Sequence, residues 1–296
     1  MKKIIQSLIK NLEKPEHPQE VDLIIDGGGF KAAYILGNLL YLKEMEKHGF
    51  IKIARISGTS MGSLLGLLYF LDKLNLVFKD IPVFMKDYKK TNKLTNSFII
   101  IKRKLYVLLR EKGMKSFDKR LYINYYDLKN NREVLTNTYS SADNIFKKIH
   151  FSCFIPFMFD GRPSICNKID GITPFIFPKR ENVKILFLSA ISFRNISTFG
   201  EMLYNDDKNI TYKMLQGTLD MHAFYLNDKS SSMSHYIDTS SLSSCAYFFG
   251  RKLLMYLIIM LINLYGIIHG KTDGSHYLIV QKVFEAVKHT IIHNSV

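Results

Sequence analysis

Residues 58–62 read Gly-Thr-Ser-Met-Gly and set Ser60 between Gly58 and Gly62, directly after the apolar run 52–57. A serine at a strand-to-helix junction meets the requirement for a nucleophile elbow. The tight turn lifts the hydroxyl clear of the sheet, and small neighbours let strand and helix close up. A helix beginning at that point also directs unpaired backbone N–H groups at developing negative charge. The competing role is a plain helix N-cap, and a lone Gly-x-Ser-x-Gly arises by chance in about one chain in ten of this length. Context therefore has to carry the assignment.

A second loop supplies such context. Asp26 is followed by Gly27, Gly28 and Gly29, again between an apolar run and a helical stretch. Side-chain-free backbone lets a ligand approach closely and meet convergent amides, an arrangement suited to an oxyanion. A dinucleotide fingerprint counted from Gly27 would need a glycine where Ala32 stands, and the Gly-Lys-Ser ending of a P-loop is missing. Two strand-to-helix turns, one with a hydroxyl and one with backbone donors, fit acyl transfer. Asp26 is read as a structural residue of the loop.

The residue sequence leaves the base open. A Ser-His-Asp triad in α/β-hydrolase order needs a histidine downstream, and His150, His222, His235, His269, His276, His289 and His293 are available. None of them sits in a short loop directly after an apolar strand. Asp170 closes a short apolar run and precedes Gly171, which lets the chain turn away. Partial burial would raise its pKa enough for base catalysis. Asp-Gly is also a common turn.

The elements that must position these groups follow from the hydrophobic pattern. Residues 21–26 and 52–57 read as buried strands, and each is followed by a helix, 31–49 ending at Gly49 and 60–74. Residues 74–119 read as helical, and 120–138 as a hairpin turning at Asn130 and Asn131. Ser141 is placed to cap a helix that ends before Pro156. A strand is expected within 183–192, and helices over 210–227, 246–268 and 276–292. The alternation predicts an α/β fold with a largely parallel sheet. A single domain is expected over 21–296, with residues 1–20 as an appendage.

Composition bounds the partners. The 296 residues are 47% hydrophobic and carry a formal net charge of +15. Residues 86–132 alone hold 14 lysines and arginines against 4 acidic residues. Such a field attracts a phospholipid surface or nucleic acid, unless it is only a solvated face. Residues 97–115 mix apolar and basic residues as an interfacial helix would. Residues 253–268 are apolar, follow Arg251 and Lys252, precede His269, and fall short of the ~20 residues needed to span a bilayer. They are expected to form a buried core helix, with shallow membrane insertion as the competing role. Cys153, Cys166 and Cys245 show neither disulfide nor metal spacing, and the N-terminus lacks a signal-peptide core. A cytoplasmic protein, peripheral at membranes, is expected.

Four stretches, 26–32 (Asp-Gly-Gly-Gly-Phe-Lys-Ala), 58–62, 152–161 and 169–174, occur in the order and at roughly the spacing of patatin-like phospholipases, which the chain resembles over about 21–195. The resemblance implies a three-layer α/β/α fold with additional C-terminal helices, and a phospholipase A-type lipid acyl hydrolase. It implies Ser60 as nucleophile, Asp170 as general base and the amides of Gly27, Gly28 and Gly29 as the oxyanion hole. Gly58, Gly62, Lys31 and Gly171 complete the motifs. No cofactor or metal is implied. The implied partners are a phospholipid surface as substrate and a protein activator, with nucleic acid disfavoured. Lys31 and Ala32 stand where the family usually has Arg and Gly, and Ile172 where it has Gly or Ala. A lysine keeps the charge but loses the planar fork of donors. The alternatives are a Ser-His-Asp esterase acting on soluble esters and a non-catalytic lipid- or nucleic-acid-binding protein.

Overall fold

In the computed structural model, residues 1–78, 80–91, 93–189, 210–227, 234–237 and 242–269 are described. The centre is β1 (Gln19–Ile25), whose last five residues are buried without a break. An unbroken buried run of this kind, apolar except for Asp22, belongs to a strand covered on both faces. β1 pairs in parallel with β2 (Ile51–Gly58) on one side. β3 (Leu121–Asp127) continues in parallel beside β2, and β4 (Arg132–Thr136) folds back antiparallel as the second arm of the hairpin. The short β5 (Lys168–Asp170) pairs antiparallel with β3. On its other side β1 pairs in parallel with β6 (Lys184–Leu188), and β7 (Ser234–Tyr236) closes that edge antiparallel. The resulting order is β4-β3-β2-β1-β6-β7, with β5 set against β3.

Helices cover both faces, so the protein is a mixed α/β fold with a mostly parallel central sheet. The period of two along β1 divides the core. Val21, Leu23 and Ile25 face the larger layer, and Ile24 faces the other. The larger layer holds α1 (Lys2–Lys10), α2 (Ala32–Lys47), α3 (Met61–Phe70), α4 (Leu74–Phe78), α5 (Ile81–Thr91), α6 (Thr95–Lys112), α7 (Ala142–Ser152) and α8 (Ile210–Asn227). The opposite face is covered by α9 (Leu242–His269). Its Tyr247 and Phe248 pack against Ile24 and Phe187, and Met255, Ile259 and Ile262 pack against Tyr126 and Ile169.

Several sequence signals act as the chemistry requires. The Ser141 hydroxyl accepts the N–H of Asn144 at 3.1 Å and caps α7. α6 turns Ser97, Ile101, Leu105 and Leu109, four residues apart, into the core. The segment 97–115 is therefore anchored to the domain by an inward stripe. Residues 1–20 do not trail from the domain: Ile5 and Ile9 are buried in the larger core, and β1 begins at Gln19. The expected helix 276–292 lies outside the described residues.

Candidate active site

Strand pairing brings the predicted residues together. β2 follows β3 only as far as Gly58, which pairs with Ile123. Beyond that point β5 takes over the same edge of β3 in the reverse direction, and its last residue, Asp170, pairs with Tyr125. The end of β5 thus faces the end of β2, where the chain turns through Thr59 and Ser60 into α3. Ser60 adopts φ 53° and ψ −133°, a conformation that a non-glycine residue holds only when its surroundings dictate it. Here the Ser152 hydroxyl accepts the Ser60 N–H at 3.0 Å, and the Ser63 hydroxyl donates to the Ser60 carbonyl at 2.7 Å.

Gly62 is needed for the elbow to close. A Cβ there would lie 2.3 Å from the Ile25 carbonyl oxygen, so α3 could not settle on the end of β1. Gly62→Ala is expected to cost about 1–3 kcal/mol by overpacking against backbone. A urea unfolding curve that matches wild type would refute the requirement.

Asp170 is buried, and its amide donates to the Phe154 carbonyl at 2.9 Å. Burial raises its carboxyl pKa to about 6, against the opposing influence of the Ser60 hydroxyl beside it, the Ile172 N–H donated to Oδ1 at 2.8 Å, and the charge of Arg251. Asp26 pushes in the same direction as burial. A carboxylate raised in this way beside a hydroxyl has the chemistry needed to accept that hydroxyl's proton.

The glycine loop stands against this pair. A Cβ on Gly27 would come within 3.0 Å of the Ser60 Cβ. The Gly27 N–H, however, is donated to Asp26 Oδ1 at 2.8 Å and is spent on loop structure. The loop then tightens into a 3-10 turn, Gly29–Lys31, in which the Lys31 N–H reaches the Gly28 carbonyl at 2.8 Å. Gly29 takes φ 48° and lines a cavity with Ser60. Of the three glycine amides in this loop, that of Gly27 is thus already engaged. Lys31 is buried rather than displayed to solvent.

That cavity, of about 100 Å³, is bordered by Ser60 and runs between α3 and α6, with walls that include Leu64, Leu65, Phe98 and Ile101. Its lining is overwhelmingly apolar. It would hold a hydrocarbon chain with the reacting carbon at the serine.

One residue of the site escapes sequence reasoning. Arg251 of α9 is buried and grips Asp26 with both ends of its guanidinium, Nη1 to Oδ2 and Nη2 to Oδ1, the latter at 2.7 Å. Nη2 also donates to the Ile172 carbonyl. Ser189 Oγ completes the Asp26 shell at 2.8 Å. Asp26 is thereby structural, as expected, and its ion pair binds the glycine loop to the Asp170 loop. Ile172, the departure from the family pattern, has φ 58°, which is costly for a β-branched side chain. Its side chain packs in the small cluster that Met255, Ile259 and Ile262 of α9 form with the sheet. A run of apolar residues led by a single arginine was the only trace of this clamp in the sequence.

The described histidines are occupied elsewhere. His150 stacks on Phe98 at 4.5 Å, and burial lowers its pKa to about 4. His222 shares a 2.9 Å hydrogen bond with the Tyr41 hydroxyl, and His235 packs on Phe187. The side chains of His269, His276, His289 and His293 lie outside the described residues. Among the described residues no group of His, Cys, Asp and Glu is placed to hold a metal ion.

The family model for patatin-like phospholipase matches residues 23–247. No curated protein matches the chain.

Proposed function

Because the chain belongs to the patatin-like phospholipase family, a family of lipid acyl hydrolases, we propose that it cleaves carboxylic ester bonds of glycerophospholipids through Ser60 and Asp170. The observation that carries this reading is that Ser60 sits between the buried Asp170 carboxylate and an apolar cavity that it helps to line. Asp170 takes the hydroxyl proton as Ser60 Oγ attacks the ester carbonyl carbon. The amides of Gly28 and Gly29 receive the oxyanion, and each such donor is worth on the order of 10²-fold in rate. The C–O bond to the glycerol oxygen then breaks, and protonated Asp170 returns the proton to that oxygen. The lysophospholipid departs and leaves an acyl-Ser60 ester. Water attacks this ester with Asp170 again as base, releasing the fatty acid and restoring the hydroxyl.

Two measurements test the proposal together. The protein is expected to release fatty acid from mixed phosphatidylcholine and phosphatidylglycerol vesicles with a chelator present. A fluorophosphonate probe is expected to label Ser60 and no other residue. A fluorophosphonate adduct mapped to a different serine, with lipolysis intact, would overturn the assignment.

A further inference from the structure

α9 has two unlike faces. Inward, Arg251, Met255, Ile259 and Ile262 are buried against the sheet and the Asp26 carboxylate. Outward, Phe249, Leu253, Leu257, Met260, Leu261 and Leu264 are each more than half exposed. Their spacing of three and four residues draws one continuous stripe along the helix. Soluble domains rarely leave an apolar stripe of this length bare. The expectation of a buried core helix over 253–268 is thus met on the inner face only.

We propose that the outward face of α9 is the surface by which this protein settles on a lipid membrane, with the helix lying in the plane of the interface. Residues 246–265 are long and apolar enough to cross a bilayer. Spanning would require α9 to leave the sheet, and that would strip Arg251 from Asp26 and leave two buried charges unpaired. A helix held on the domain by one face and apolar on the other is built for in-plane insertion. Lipid is the occupant favoured by charge, because residues 242–269 carry no acidic side chain and exposed Lys252 flanks the stripe.

The face is also continuous with the candidate site. Arg251 reaches the Ile172 carbonyl two residues after Asp170, and Tyr265 packs edge-on against Phe157 at 5.0 Å. Phe157 belongs to the loop whose Ile155 and Phe159 line the cavity. α9 is thus joined, through Tyr265 and Phe157, to a loop that walls the cavity. The choice of lipid as occupant rests on the proposed hydrolase activity, but the surface itself does not.

The test uses the full chain carrying Ser60→Ala, so that binding is read without catalysis. Flotation with phosphatidylcholine vesicles containing phosphatidylglycerol is compared with and without Leu253→Glu, Leu257→Glu and Leu261→Glu. Partitioning is expected to fall at least ~10-fold with the three glutamates, and to a smaller extent with serines at the same positions. With Ser60 intact, the glutamate variant should hydrolyse a soluble short-chain ester within about twofold of wild type, since general-base chemistry at the dyad is untouched. Unchanged flotation would overturn the proposal. So would a parent protein that is a dimer in solution and becomes monomeric with the glutamates, because a second copy would then be the occupant. Stripe-dependent flotation by a protein inactive on every ester would uphold the docking face while removing the hydrolase reading.

Discussion

Ser60→Ala and Asp170→Asn are each expected to abolish ester hydrolysis, and Asp170→Asn to change stability as well. Loss of the nucleophile should lower kcat by ~10⁴-fold or more, and loss of the base by ~10²- to 10⁴-fold. The double variant should be no worse than Ser60→Ala, since the two groups act as a unit. Asp170 carries a further signature. Burial lifts its pKa from 3.8 to about 6, so the folded protein holds the proton more tightly than the unfolded chain does. Ionising it on the way from pH ~4 to pH ~6 costs stability, and the cost persists above that range. Asparagine keeps an acceptor for the Ile172 N–H and carries no buried charge. Asp170→Asn should therefore be more stable than wild type at pH 8, by up to about 3 kcal/mol, with the difference vanishing near pH 4. Wild-type kcat/KM should fall tenfold per pH unit below about 6 and level off above it. A variant that stays active, or a profile flat down to pH 4, would remove Asp170 from the role of base.

Arg251→Met carries the largest expected loss of stability. The substitution leaves Asp26 buried with its charge uncompensated, which costs about 3–5 kcal/mol. Replacing both partners by neutral residues, as in Asp26→Asn with Arg251→Met, should recover much of that loss, and a double-mutant cycle measures the coupling directly. The exchange also reaches the chemistry. Arg251 holds the Asp170 pKa down, so any folded Arg251→Met protein should show its acid limb at higher pH than wild type. Arg251→Lys should retain the charge effect but lose the two-pronged grip on Asp26. Unfolding curves and pH profiles that coincide with wild type would show that the clamp does not couple the loops.

The alternation of apolar runs and helical periods revealed the parallel sheet because a buried strand has no polar face to hide its identity, as in β1. The elbow at Ser60 and the cap at Ser141 were legible because each is a local geometry that few residue types satisfy. Arg251 was not legible: its partner Asp26 lies 225 positions away, and no periodicity reports a pairing of that range. Nor could α9 be oriented in advance. Its sequence is apolar around most of its circumference, and only packing decides which side meets the sheet. The Gly27 amide shows the same limit on a smaller scale, since three consecutive glycines look equivalent until Asp26 claims one of them.

β3 acts as a ruler. Gly58 and Asp170 are registered to Ile123 and Tyr125, two residues apart on one strand. Their separation is thereby set by a backbone rise of ~7 Å and is independent of the length of chain between them. Apart from α2, the helices that wall the cavity arise from that intervening chain, where lengthening a surface loop costs little. Insertions and substitutions in α5 and α6 can therefore reshape the cavity over evolutionary time while Ser60 and Asp170 keep their spacing. Lineages carrying this architecture are free to diverge in lipid preference with a fixed chemistry, and an engineer can graft new pocket walls onto the same strand.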